Sequence, residues 1–316
     1  MIQLVDPDEL ADAIKGSQAA VDDGGRSVRH VLEKLSELPA LRRLSAPPSL
    51  SALRDLAAGF PNFSSVIEYV RKHAALSNLN PCSPLQFPPV ILDGPPGIGK
   101  TAFSLALART MGVPLIQLQM SHSTAGFALG GLDPQFSGGG PGYLTRKVAL
   151  GLVPDPVVLL DEVEKAPRDS RYDPLGPLYS LWEPETACRF SDDGLRIPLN
   201  FSAIRWICTT NDASQLHPAL LSRCEFFSTS APSPEQLIAI AHNAYTELRR
   251  LAPWGEQFEE VLPHELAAHL SGTTPRDLVR SLRAALGSAA LNGRRRLVLA
   301  DLPRPQQQRV AVGFLR

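Results

Sequence analysis

The run PVILDGPPGIGKTAFSLALARTM, residues 89–111, constrains this chain more than any other stretch. Val90, Ile91 and Leu92 form a short apolar run that stops at Asp93-Gly94. Gly94, Pro95, Pro96, Gly97, Ile98, Gly99, Lys100 and Thr101 follow, and then Phe103, Leu107 and Met111 recur at helical spacing. A strand, a glycine loop and a helix start are the setting in which G-x-x-x-x-G-K-[ST] carries meaning. Glycine lets the backbone wrap a polyphosphate with its N–H groups converging on the oxygens, and the helix N-terminus adds partial positive charge. Lys100 is then a point charge for the β- and γ-phosphates, and the Thr101 hydroxyl a ligand for Mg²⁺. An ordinary Gly/Pro turn is the alternative, and the full motif in this setting outweighs it.

About sixty residues on, VVLLDE (157–162) drives four aliphatic side chains into a sheet and delivers two carboxylates at the strand's C-terminal edge, where open α/β sheets bind ligands. Asp161 is the expected support for Mg²⁺, through its waters, and Glu162 the group that polarises water for in-line attack on a γ-phosphate. A later strand, AIRWICTTN, ends in Asn211 at the same edge. Its amide suits holding that water or sensing the γ-phosphate without adding a charge; capping a strand end is the plainer role.

The pattern around these motifs predicts an α/β domain with a three-layer, mostly parallel sheet. Strands are expected at Val90–Leu92, Leu115–Leu118, Val157–Leu160, Ile204–Thr209 and Glu225–Thr229. Upstream, helices are expected near Asp8–Ile14, Ser27–Leu38, Leu50–Ala58 and Ser64–Leu76. Downstream, the strand pattern fades into helices at Pro234–Leu251, His264–Leu270 and Pro275–Leu291, with a short apolar run at Leu297–Leu299. The division that follows is a helical N-terminal segment (1–59), a nucleotide-binding α/β domain (60–230) and a small helical lid (231–316). No chemical motif marks the first 55 residues, and bracing the next domain is their default role.

A net charge of −1 and a pI of 6.7 give no basic field of the kind a dedicated nucleic-acid binder carries. Cys82, Cys188, Cys208 and Cys224 show neither C-x-x-C nor metal-ligand spacing, which suits a reducing, cytoplasmic setting. The acidic start, MIQLVDPDELADAIKG, does not read as a signal peptide, and no membrane span is expected.

Taken together, GPPGIGKT, VVLLDEVEK, TTN at Asn211, PALLSR at Arg223 and the run DPLGPLYSLWEPETACRFSD (173–192) resemble the AAA+ ATPases, and within them the ATPase module of Lon proteases. The resemblance covers about residues 60–283; the last of these runs points to the Lon branch. It implies ATP and Mg²⁺ as cofactors, with Asn211 as sensor 1 and Arg223 as an arginine finger reaching a neighbouring subunit's ATP. Arg276, in TTPRDL, falls on sensor 2 of the lid. The residues alone leave both arginines readable as surface groups. Phe60–Phe63 lies where the family's adenine pocket begins. In LDPQFSGGGPGY, Phe136 falls on the aromatic of the pore loop that grips substrate; packing beneath the loop is its alternative role. A second pore loop is expected at Arg168–Tyr172. The sequence ends at Arg316, soon after the lid, so no peptidase domain with its Ser and Lys, and no peptidase activity, is expected.

The implied activity is ATP hydrolysis by a ring, a homo-hexamer, that remodels or unfolds a protein client. Two other classes stay open: a nucleic-acid-associated loader or motor, and a slow ATP-gated scaffold.

Overall fold

The computed structural model describes residues 1–17, 23–80, 84–122, 125–167 and 173–303. Two units emerge. The first groups Met1–Leu56, Ser65–Pro95 and Lys100–Thr229; the second groups Ala57–Ser64, Pro96–Gly99 and the chain from Ser230.

The first unit opens with a two-residue strand β1 (Ile2–Gln3), then helices α1 (Pro7–Ser17) and α2 (Asp23–Ser36), and strand β2 (Leu41–Arg42), which pairs antiparallel with β1. Sequence periodicity does not reveal a pair this short. Helices α3 (Leu50–Gly59) and α4 (Ser64–Asn78) follow, near their expected places. Leu4, Val5, Leu32 and Leu35 are buried in the same apolar cluster as Val158, Leu160 and Trp206 of the sheet. The N-terminal stretch is therefore part of the sheet's core, where each fully buried aliphatic side chain contributes about 1.5–3 kcal/mol.

The sheet consists of five parallel strands in the order β4 (Leu115–Gln119), β5 (Val157–Asp161), β8 (Arg205–Thr210), β3 (Val90–Asp93) and β9 (Glu225–Ser228). Every residue of β5 and β8 is buried, which is why Val157–Leu160 and Trp206–Cys208 read as apolar runs rather than alternating ones. The expected strands are all present, with ends displaced by a residue. Helix α5 (Lys100–Thr110) leaves directly from the glycine loop. Two short helices, α6 (Ala125–Gly130) and α7 (Tyr143–Ala149), flank the loop that carries Phe136. A second short antiparallel pair, β6 (Phe190–Ser191) with β7 (Pro198–Leu199), lies within the Lon-like run and just beyond it. Helices α8 (Leu178–Leu181), α9 (Pro184–Ala187) and α10 (Pro218–Leu221) complete the unit.

In the second unit, α11 (Pro234–Leu251), α12 (His264–Leu270) and α13 (Pro275–Leu291) match the expected helices. Local chemistry sets their starts. Ser233 and Gln236 form a capping box on α11, Thr274 caps α13 by accepting from the Asp277 N–H, and Pro234 and Pro275 sit where a missing N–H costs nothing. Leu237, Tyr245, Leu266, Leu278, Leu282 and Leu286 share one core. The apolar run near Leu297 is not a strand; Leu299–Asp301 is a 3₁₀ turn. No helix among the described residues is long and apolar enough to cross a membrane.

Candidate functional site

The parallel sheet places the C-terminal ends of β3, β5 and β8 side by side, with Asp93 opposite Thr210 and Leu160 opposite Cys208. Everything expected to act on phosphate in this unit issues from that edge. After β3 the glycine loop turns through Gly97 at φ 85° and Gly99 at φ 103°, values that L side chains rarely adopt. Lys100 then folds back. Its Nζ donates to Gly94 O at 2.5 Å, Pro95 O at 3.1 Å and Asn211 Oδ1 at 3.0 Å. Burial pulls the Lys100 pKa down, opposed first by the charge of Glu164 and then by Asp93, Asp161 and Glu162.

Asp161, at the end of β5, is 8% exposed. Its Oδ1 accepts from Thr209 Oγ1 at 2.5 Å, its Oδ2 accepts from Gln117 Nε2 at 3.0 Å and Gln119 Nε2 at 2.9 Å, and Thr101 Oγ1 lies 3.3–3.4 Å from both oxygens. All these donors are neutral, so among the described residues no cation is bonded directly to the carboxylate. A hydroxyl and a carboxylate set side by side, both hard oxygen donors, fit Mg²⁺, which keeps most of its shell as water and phosphate oxygen. Thr101 and Asp161 are the residues that would hold it.

Glu162 follows at φ 58°, ψ 54°, a left-handed conformation that a non-glycine residue adopts at a cost of about 1–3 kcal/mol. Its N–H is tied to Thr209 Oγ1 at 3.0 Å, and its Oε1 accepts from Lys165 Nζ at 2.6 Å, a contact that pushes the Lys165 pKa up. The turn Val163–Lys165 next presents Glu164, whose Oε1 accepts from Asn211 Nδ2 at 2.8 Å. The structure thus forms two hydrogen-bonded groups at this edge, Lys100–Asn211–Glu164 and Thr101–Asp161–Thr209–Glu162, which the successive residues Lys100 and Thr101 join along the chain.

Arg223 belongs to a different cluster. Its Nε lies 2.7 Å from Glu183 Oε1 without aligning as a hydrogen bond, its Nη1 donates to Ala219 O at 2.6 Å, and its guanidinium sits 5.5 Å from the Tyr179 ring centre. Among the described contacts this cluster shares no residue with the Lys100 network.

The second unit has its own part of the glycine loop. Asn62 Nδ2 donates to Ile98 O at 3.3 Å, and Arg276 Cβ lies 3.9 Å from where a Cβ on Gly97 would stand. The tip of the loop therefore carries a lid arginine beside it.

Phe136 is 59% exposed at the tip of a tight loop closed by Leu132 and Gly140, which removes the reading of Phe136 as a packing anchor. The buried Asp192 fastens the loop's base, accepting from the N–H groups of Gly142, Gly194 and Leu195 and from Thr145 Oγ1; burial raises its pKa. Asp133, inside the loop, pairs with Arg196. A cavity of about 480 Å³ opens next to Phe136. The expected second pore loop, Arg168–Tyr172, lies outside the described residues.

Five contributors escaped the reading of the sequence: Gln117, Gln119, Thr209, Glu164 and Lys165. The glutamines left a signal, because LIQLQ alternates apolar with amide in a sheet whose neighbours are apolar throughout, and β4–β5 register sets Gln119 opposite Asp161. Glu164 and Lys165 left none, since a 3₁₀ turn after the strand has no period to read.

Residues 90–230 match the profile of the ATPase family associated with various cellular activities (AAA). Curated relatives are Lon proteases. The chain is 28% identical over 254 residues to the peroxisomal Lon protease homolog 2 of Danio rerio, which covers 79% of this chain and 28% of that protein. With the Lon protease of Chloroflexus aurantiacus it shares 28% over 280 residues, 85% of this chain and 34% of the other. With that of Lawsonia intracellularis it shares 30% over 176 residues, 56% and 20%. The chain thus spans about a third or less of the length of these relatives. A solved RuvB mutant from Thermotoga maritima aligns over 74% of this chain and 67% of its own, at 16% identity and a TM-score of 0.46.

Proposed function

We propose that this chain, whose residues 90–230 match the AAA profile and which is similar to Lon proteases, is an ATPase that hydrolyses ATP in a ring of like subunits and uses the turnover to remodel a protein client. The observation that carries the reading is the Lys100–Asn211–Glu164 chain running beside an Asp161 carboxylate held only by neutral donors. A cluster of carboxylates around one buried, partly desolvated lysine suits a polyphosphate that arrives together with a cation.

In this reading the loop Gly94–Thr101 and Lys100 bind the triphosphate, and Thr101 with Asp161 hold Mg²⁺, which neutralises phosphate charge when bound. Glu162 takes the proton side of the attacking water and Asn211 orients it. Arg276 addresses the γ-phosphate from the lid, a role supported by its place beside Gly97. The separate setting of Arg223 supports a finger that serves a neighbour's site, where a guanidinium is worth about 10³–10⁵ in rate. The exposed Phe136, on a base fixed by Asp192, suits gripping a client.

Mixing Arg223→Ala with Lys100→Ala subunits tests the shared site. Each alone should be nearly inactive; co-assembled, an Arg223→Ala subunit keeps a sound phosphate loop and a Lys100→Ala neighbour lends it a finger, with roughly a quarter of interfaces correctly paired under random mixing. Absence of recovery, in rings shown by mass spectrometry to contain both variants, counts against a shared site. Stimulation of the rate by unfolded protein and not by DNA is the outcome expected for a protein-remodelling motor.

A further inference from the structure

Asn211 stands between two charges of opposite sign. Lys100 Nζ donates to its Oδ1 at 3.0 Å, and its Nδ2 donates to Glu164 Oε1 at 2.8 Å. An ammonium only donates and an ionised carboxylate only accepts, so both neighbours demand the same amide orientation. Turned over, the amide would set oxygen against carboxylate and NH₂ against ammonium. Glu164 is well placed to enforce this. It sits on a turn that starts from the left-handed Glu162, and its Oε2 is buried without a hydrogen-bond partner among the described residues.

We infer that Glu164 is a positioning residue that sets the hydrogen-bond polarity of Asn211, so that Asn211 presents an acceptor and not a donor to the reacting groups. When Lys100 turns towards a phosphate, the atom of Asn211 that it releases is the carbonyl oxygen, while the NH₂ stays pinned to Glu164. A carboxamide oxygen takes an O–H from water and has nothing to offer a phosphate oxygen, which is itself an acceptor. Asn211 therefore orients the attacking water rather than sensing the γ-phosphate. This inference rests on the ATP-hydrolysing reading above.

The test is a charge-conserving exchange. Glu164→Gln alone imposes no orientation on the amide, and Asn211→Asp alone sets carboxylate against carboxylate. Combined, the glutamine NH₂ donates to the new aspartate, which still turns an acceptor oxygen towards Lys100. Turnover should fall roughly tenfold to a hundredfold in Glu164→Gln, the scale of one hydrogen bond to a charged group, and further in Asn211→Asp. The double variant should recover part of the turnover that Asn211→Asp alone loses. ATP affinity, read by titration calorimetry, should stay near wild type in Glu164→Gln and in the double variant, which separates positioning from loss of structure. A wild-type rate in Glu164→Gln, or a double variant as inactive as Asn211→Ala, overturns the inference; should Asn211→Asp fail to fold, the Glu164→Gln arm decides. A wild-type protein that does not hydrolyse ATP overturns the functional reading itself and this inference with it.

Discussion

Strand β5 has an aspartate at each end, and the two are treated in opposite ways. Asp155, just before the strand, is fully buried and bonded by Arg205 Nη2 at 2.7 Å and by the Ser45 N–H and hydroxyl. Its charge is cancelled on the spot. Asp161, at the far end, is nearly as buried but receives hydroxyls and amides only. Neutral donors stabilise an anion without discharging it, whereas a buried ion pair closes the account of both partners. The difference separates the end of the sheet that holds the fold from the end where we propose that a cation and a polyphosphate bind.

The comparison breaks most visibly at its structural end. Asp155→Asn leaves Arg205 buried without its counter-ion, and denaturant unfolding should show a loss of about 3–5 kcal/mol, with turnover per folded molecule unchanged. The converse variant, Asp161→Asn, keeps the shape and one acceptor oxygen while removing the charge, and Gln117 and Gln119 can turn their amide oxygens to meet the new NH₂. Melting temperature should hold, and Mg²⁺-dependent turnover should fall about 10²–10³-fold, the scale of deleting one preorganised electrostatic group. A thermal loss in Asp161→Asn as large as that in Asp155→Asn would erase the distinction. Phe136→Ala should also leave stability nearly unchanged. Emptying a buried phenylalanine costs about 3–5 kcal/mol, but this ring is 59% exposed, so unfolding should shift by less than about 1 kcal/mol. Client-stimulated turnover, measured against the basal rate, should be lost.

The two ends were not equally legible in the sequence. Val90–Leu92, Val157–Leu160 and the run to Asn211 announce their strands because both faces are covered, and the glycine loop announces the helix after it. The parallel order then puts Lys100, Asp161 and Asn211 at one edge without further information. Arg205 gave no such notice. An arginine opening an apolar strand reads as a surface residue, and only the register of β5 with β8, which sets Val157 opposite Arg205, brings it to Asp155. The same holds for Glu164, whose importance depends on a 3₁₀ turn and on the distance to a strand end some fifty residues later. Arg42 is a third case: buried in β2, it donates to the carbonyls of Val148, Ala149 and Gly151 and closes the end of α7 from a strand too short to be seen as a pattern.

The most direct measurement of the central claim is titration calorimetry with Mg²⁺ and ATP on Lys100→Ala and Glu162→Gln, alongside phosphate release. In the proposed mechanism the lysine touches ground-state phosphates and the glutamate acts on the water. Lys100→Ala should therefore lose ATP binding, and Glu162→Gln should bind as the wild type does while its turnover falls about 10²–10⁴-fold. Equal loss of binding in the two variants, or undiminished turnover in Glu162→Gln, would contradict the assignment of this sheet edge as an ATP-hydrolysing site.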